Sequence, residues 1–124
     1  MKIIDLNNVA DNDVTNEPLF YGGHVATQSG PVEALGGEKV AMANVKFDKG
    51  ARNKFHTHTT SQVLFVTEGK GIVATRDKEY TVTPGTFIFI PAGEDHWHGA
   101  ADDSAFAHLS ILGQPSEMEI TGEG

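Results

Sequence analysis

The chain has 124 residues, 17 acidic against 9 basic, a formal net charge of -8 and no cysteine. That length suits one domain, which buries roughly two thirds of its unfolded surface and needs no external staple. Without cysteine there are no disulfides, zinc fingers or iron–sulfur clusters, so any metal must be held by nitrogen and oxygen.

The acidic balance argues against nucleic acid, because phosphate binding needs a basic patch. No apolar run resembles a signal peptide or is long enough to span a bilayer. The expectation is a soluble, cytoplasmic protein whose partner is a small molecule, with no nucleic acid and no membrane.

In chain order, residues 1–38 read as an arm with loops at Asp11-Asn12-Asp13 and Gly36-Gly37 around a strand at 20–28. An open edge of this kind attracts a partner strand, which predicts a homo-oligomer, a dimer or tetramer. Residues 39–112 break into short runs rich in Val, Ile, Phe and Thr. Strands are expected at 39–47, 52–58, 62–68, 71–76, 79–83, 86–91, 95–99 and 105–112. Turns between them have local causes: Asp48-Lys49-Gly50, Glu68-Gly69-Lys70-Gly71, Asp77-Lys78, Pro84-Gly85 and Ala92-Gly93. No helical period survives, so the fold class is all-β, a small single-domain sandwich or barrel with room inside for a ligand. Residues 113–124 form a polar tail expected to be loosely held.

Two histidine-bearing stretches carry the chemistry. The first runs from Gly50 through His56, His58 and Gln62 to Gly69; the second runs from Gly85 through Pro91 and Gly93 to His96 and His98. Residues two apart in extended chain point the same way, so His56, His58 and Gln62 share one face, as do His96 and His98. If the faces converge, imidazoles and an amide oxygen meet around one point and form a divalent metal site. The competing reading of His56, His58, Gln62 and His96 is a metal-free polar cluster. For His98 it is a rim histidine that hydrogen-bonds a loop, and for His108 a satisfied core histidine. His24 has no partner in spacing and reads as structural. Arg52 and Lys54 share parity with His56 and read either as a cationic rim or as solvated strand ends. Trp97 points opposite to His96 and His98, which packing explains.

These stretches resemble the double motif of the cupin superfamily: Gly, five residues, His-x-His, a Glu position and Gly, then Gly, five residues, Pro-x-Gly, two residues and His. The resemblance covers about residues 40–112 and implies the double-stranded β-helix, a jelly-roll barrel. Two positions depart from it: Gln62 stands where most cupins carry Glu, and Ala100 where the second motif usually ends in Asn. Gly50-Ala51-Arg52, Gln62, the string His96-Trp97-His98-Gly99-Ala100-Ala101 and Ala107-His108-Leu109 are similar to the bacterial manganese-dependent hydroxynitrile lyases of cupin fold. That likeness implies metal ligands His56, His58, Gln62 and His96, with Mn2+ favoured over Fe2+, Ni2+, Co2+ or Zn2+. It implies a lyase that cleaves a cyanohydrin to a carbonyl compound and HCN.

Chemistry on these residues is consistent with that implication. Gln in place of Glu leaves the ion its full double charge, hence a stronger Lewis acid that favours acidified hydroxyls over redox oxygen chemistry. Four protein ligands on an octahedral ion leave two positions open. His98, on the face of His96, and His108, beside Phe106 and Ser110, are the acid/base candidates, since imidazole titrates near pH ~6.5. Ala43, Val45, Leu64 and Leu112 are candidates to shape the cavity. A cupin dioxygenase, a small sugar-acid isomerase and a non-catalytic metal cupin that binds a small ligand are the alternatives.

Overall fold

Runs that alternate branched or aromatic residues with polar ones form pleated strands with one face buried, and this chain has little else. The computed structural model describes residues 1–123 and contains a single 3-10 turn, Leu6–Asn8, capped by Asp5, whose side chain accepts from the Asn7 amide. The strands are β1 (Asn12–Asp13), β2 (Phe20–Tyr21), β3 (Val25–Leu35), β4 (Glu38–Phe47), β5 (Arg52–Asn53), β6 (His56–His58) and β7 (Gln62–Gly69). They continue as β8 (Gly71–Ala74), β9 (Glu79–Val82), β10 (Phe87–Ile90), β11 (Trp97–Ala100), β12 (Phe106–Gln114) and β13 (Met118–Ile120).

These strands build a six-stranded sheet in the order β1-β3-β4-β12-β7-β10 and a five-stranded sheet in the order β2-β5-β11-β8-β9. A small third pair, β13-β6, carries two of the histidines. Every pairing is antiparallel. The two large sheets face each other, as an all-β chain must to bury its apolar faces.

Between the sheets lies an apolar cluster of Val14, Val25, Phe47, Ala51, Val66, Val82, Ala100 and Phe106. Full burial of a side chain such as Phe47 contributes about 1.5–3 kcal/mol. Phe47 also marks where the apolar core ends: its ring lies 5.7 Å from that of His108 and 6.2 Å from that of His98. On β7 the inward row is Gln62, Leu64 and Val66, and on β12 it is Phe106, His108 and Ser110.

Close approach requires glycine at turns and strand contacts, Gly69 and Gly99 among them. Gly69, at φ 73°, turns β7 into β8, and a Cβ there would lie 1.8 Å from the Ala105 carbonyl oxygen. At Gly99 a Cβ would meet the Arg52 Cβ at 2.2 Å, so β11 lies against β5 only because the side chain is absent.

Three expectations from the sequence need correction. The run at 52–58 is two strands in different sheets, because the chain leaves the five-stranded sheet at Lys54, whose amide bonds the Leu19 carbonyl. Parity is therefore not carried from Arg52 to His56. Asn53 is buried, while the Arg52 guanidinium packs outside over the Trp97 and Tyr21 rings, 4.5 and 5.2 Å from their centroids, and is no cationic rim to the site. The run at 20–28 is likewise two strands, parted at Gly22 (φ 87°), where a Cβ would lie 2.6 Å from the Gly50 carbonyl oxygen.

The tail, expected to be loosely held, is structured: Met118, Glu119 and Ile120 pair with His58, Thr57 and His56. His24 lies at the surface, 3.6 Å from an Asp13 oxygen and 4.0 Å from one of Asp48.

Candidate metal centre

His56 and His58 stand two residues apart on β6, so the extended backbone sends both rings to the same side. His56 also exchanges both backbone hydrogen bonds with His96, at 2.9 and 3.1 Å, so one bridge sets the two histidine stretches side by side. Ring centroids are 5.0 Å apart for His56 and His58, 4.3 Å for His56 and His96, and 5.9 Å for His58 and His96. One nitrogen from each ring lies within 4.8 Å of the others. A central ion with metal–nitrogen bonds of about 2.1 Å closes such a triangle with small side-chain adjustments.

Backbone carbonyls choose the tautomers. His56 Nδ1–H donates to Lys54 O at 2.7 Å, and His96 Nδ1–H donates to Glu94 O at 2.8 Å. Each ring therefore keeps its lone pair on Nε2, the arrangement a cation requires. Burial holds His56 down to about 3, burial with the nearby His96 holds His58 down to about 4, and burial lowers His96 also. The three rings are thus neutral at neutral pH.

Gln62 is buried on the inward row of β7, and its Nε2 donates to Ser110 Oγ at 2.8 Å. Its Oε1 and the Nε2 of His96 are buried without a hydrogen-bonding partner among the described residues. A buried acceptor left unmade costs about 1–3 kcal/mol, and the unpartnered His96 Nε2, in a cluster that already holds His56 and His58, fits a divalent cation. The cluster offers three imidazole nitrogens, a donor set that suits a borderline first-row divalent ion.

Beside the triad, His98 and His108 form a second, deeper pair. His98 ring planes stack on His96 at 12° with centroids 5.7 Å apart, and the His56 ring is also 5.7 Å away. His108 Nδ1 faces the Leu109 carbonyl at 3.2 Å, and its Nε2 lies 3.1 Å from His98 Nδ1. With Nδ1–H directed at a carbonyl, His108 Nε2 accepts from His98 Nδ1–H, which leaves the lone pair of His98 on Nε2. Burial, with the neighbouring His108, holds His98 well below the usual imidazole value; burial brings His108 to about 4.

Asn53, which sequence reasoning passed over, completes the pair. Its Oδ1 accepts from the His98 amide at 2.8 Å, and its Nδ2 lies 3.3 Å from His98 Nε2. The available signal was an amide in a strand-rich run, where propensity disfavours it unless a partner exists. His96 also borders a cleft of about 280 Å3, together with Val73, Tyr80, Ile88, Ile90 and Trp97, room for a small organic molecule.

A family model described as a cupin domain matches residues 43–112, more than half of the chain. The chain belongs to the cupin family. This cupin is 42% identical over 73 residues, 58% of its length, to the (R)-mandelonitrile lyase of Granulicella tundricola, and it spans 56% of the length of that relative. It superposes on a cupin-like protein from Thermotoga maritima with a TM-score of 0.79 at 28% identity, covering 99% of this chain and 90% of that one. The polyketide cyclase RemF from Streptomyces resistomycificus gives a TM-score of 0.77 at 19% identity over 99% and 88% of the two chains, a likeness of fold alone.

Proposed function

We propose that this cupin is a metal-dependent lyase that cleaves a small cyanohydrin into a carbonyl compound and HCN, with Mn2+ as the favoured ion. The observation that carries this reading is the neutral His98–His108 pair next to the three-histidine cluster, in a chain similar to a mandelonitrile lyase. Simple ligand binding needs no second, hydrogen-bonded imidazole pair beside a metal centre.

His56, His58, His96 and Gln62 Oε1 are the ligands in this reading. A divalent cation there supplies Lewis-acid polarisation of the substrate hydroxyl, undiminished in charge because Gln62 is neutral. His98 Nε2 takes the hydroxyl proton once the substrate hydroxyl replaces the long Asn53 Nδ2–H contact at 3.3 Å. The oxygen electron pair forms the carbonyl, the carbon–cyanide bond breaks with its pair on cyanide, and the proton held at His98 Nε2 passes to cyanide. His108 fixes the acting tautomer by accepting from His98 Nδ1–H, and Asn53 holds the His98 backbone. Leu64, Val45 and Leu112 line the interior by register with this row and keep the reaction from water.

The test is cyanide release from mandelonitrile by protein loaded with Mn2+, before and after chelation and reloading. Release that depends on the ion supports the reading. Full activity after complete metal removal, or no release with Mn2+, Fe2+, Co2+ or Ni2+, overturns it.

A further inference from the structure

We infer that Ser110 orients the Gln62 carboxamide and thereby sets the affinity of the histidine cluster for a divalent cation. This rests on Gln62 being a ligand, as proposed above. A carboxamide has two ends of similar shape and opposite use: the carbonyl oxygen bonds a cation, and the NH2 group, a donor only, is repelled by it. Packing alone cannot tell the ends apart, and a hydroxyl can meet either end, so what Ser110 supplies is an acceptor that keeps the NH2 group paired when the oxygen turns to a cation.

The histidine ligands are oriented by main-chain carbonyls, Lys54 O for His56 and Glu94 O for His96. Gln62 is held differently, by a side chain. Ser110 stands opposite Leu64 in the β12–β7 register, one inward position along from Gln62, and its Oγ accepts from Gln62 Nε2 at 2.8 Å. With Nε2 held there, Oε1 becomes the buried end without a protein partner, the end a cation needs. Alanine at 110 would leave the NH2 group to seek another acceptor, and the carboxamide would turn. Partners that orient a ligand in this way typically change metal affinity about 10–100-fold when removed.

The measurement is the Mn2+ dissociation constant, by competition with a chromophoric chelator, for wild type, Ser110→Ala, Ser110→Thr, Gln62→Ala and the Gln62→Ala/Ser110→Ala double variant. Melting of each metal-free form is followed alongside. The expected result is a loss of about tenfold or more in Ser110→Ala, recovery in Ser110→Thr, which keeps the hydroxyl, and no further loss when Ser110→Ala is added to Gln62→Ala. Wild-type affinity in Ser110→Ala, or the same loss on the Gln62→Ala background, overturns the role of Ser110. Failure of Ser110→Thr to recover affinity does so as well. A wild-type protein that takes up no Mn2+ overturns the metal reading itself, which separates the two failures.

Discussion

Nε2 of His108 lies 3.1 Å from Nδ1 of His98, and the other ring nitrogen of His108 faces the carbonyl of its own neighbour, Leu109. A main-chain carbonyl can only accept, so this short chain puts the lone pair of His98 on Nε2, where Asn53 Nδ2 is a donor at 3.3 Å. His98→Ala is expected to lower kcat for cyanide release about hundredfold or more while the bound Mn2+ per chain stays unchanged. Kinetics and elemental analysis of the same sample check this. Retained activity removes His98 from the reaction.

His56→Ala and His96→Ala remove one corner each of a cluster whose three nitrogens lie within 4.8 Å of one another. Both variants are expected to bind Mn2+ at least about tenfold more weakly and to release no cyanide. Elemental analysis after gel filtration is the readout. A variant with a full metal complement shows that the ion is held elsewhere.

Gln62→Glu tests the charge of the site. The added carboxylate would accept from the Ser110 hydroxyl in place of the present Nε2 donation, so the hydrogen bond survives with its direction reversed. Mn2+ is expected to bind more tightly and cyanohydrin cleavage to slow, because one negative charge beside the ion weakens it as a Lewis acid. Equal or faster turnover in Gln62→Glu means that ligand neutrality is irrelevant to the reaction.

His108 makes stability pH-dependent. Burial among Phe47, Phe106 and His98 holds it at about 4, against 6.5 for the free group. Above pH 6.5 both states are neutral and the full stability is present. Between 6.5 and 4 the unfolded chain takes a proton that the folded chain refuses, so stability falls as the pH falls; below 4 the loss stops growing. The melting temperature of the metal-free protein is expected to drop across this window, and His108→Phe to reduce the slope. An identical slope in that variant assigns the dependence to other groups.

The C-terminal strand is predicted to matter for metal retention. β13 supplies the pairing for His56 and His58, and Asp95, next to His96, is bonded by Arg76 Nε at 2.5 Å and by the Thr121 hydroxyl. Arg76 also lies 3.8 Å over the Phe55 ring. Ending the chain at Gln114 is expected to weaken Mn2+ binding roughly tenfold and to lower the melting temperature. Arg76→Ala, which breaks a half-exposed pair, should cost about 1 kcal/mol or less. Unchanged metal affinity in the shortened chain shows that β6 keeps its geometry alone.

The features legible along the chain were local or periodic. The eight runs of 39–112 follow from alternation and from turn residues such as Gly69, and all eight contain strands, because both signals act within a few residues of chain. The histidine pairs are legible for the same reason: spacing by two fixes a common direction for His56 and His58 wherever the strand goes. The inward row of Phe106, His108 and Ser110 is read in the same way.

Which faces meet is set by long-range contacts. The His56–His96 bridge, the Ser110 hydroxyl on Gln62 and the pairing of β13 with β6 join residues from 40 to 64 positions apart, by contacts that no local pattern encodes. Parity also failed where the backbone changed sheets at Lys54, which turned Asn53 inward to His98 and left Arg52 outside on Trp97. Alternation counts residues along one strand, and it loses its meaning at a break that is set by pairing with distant chain.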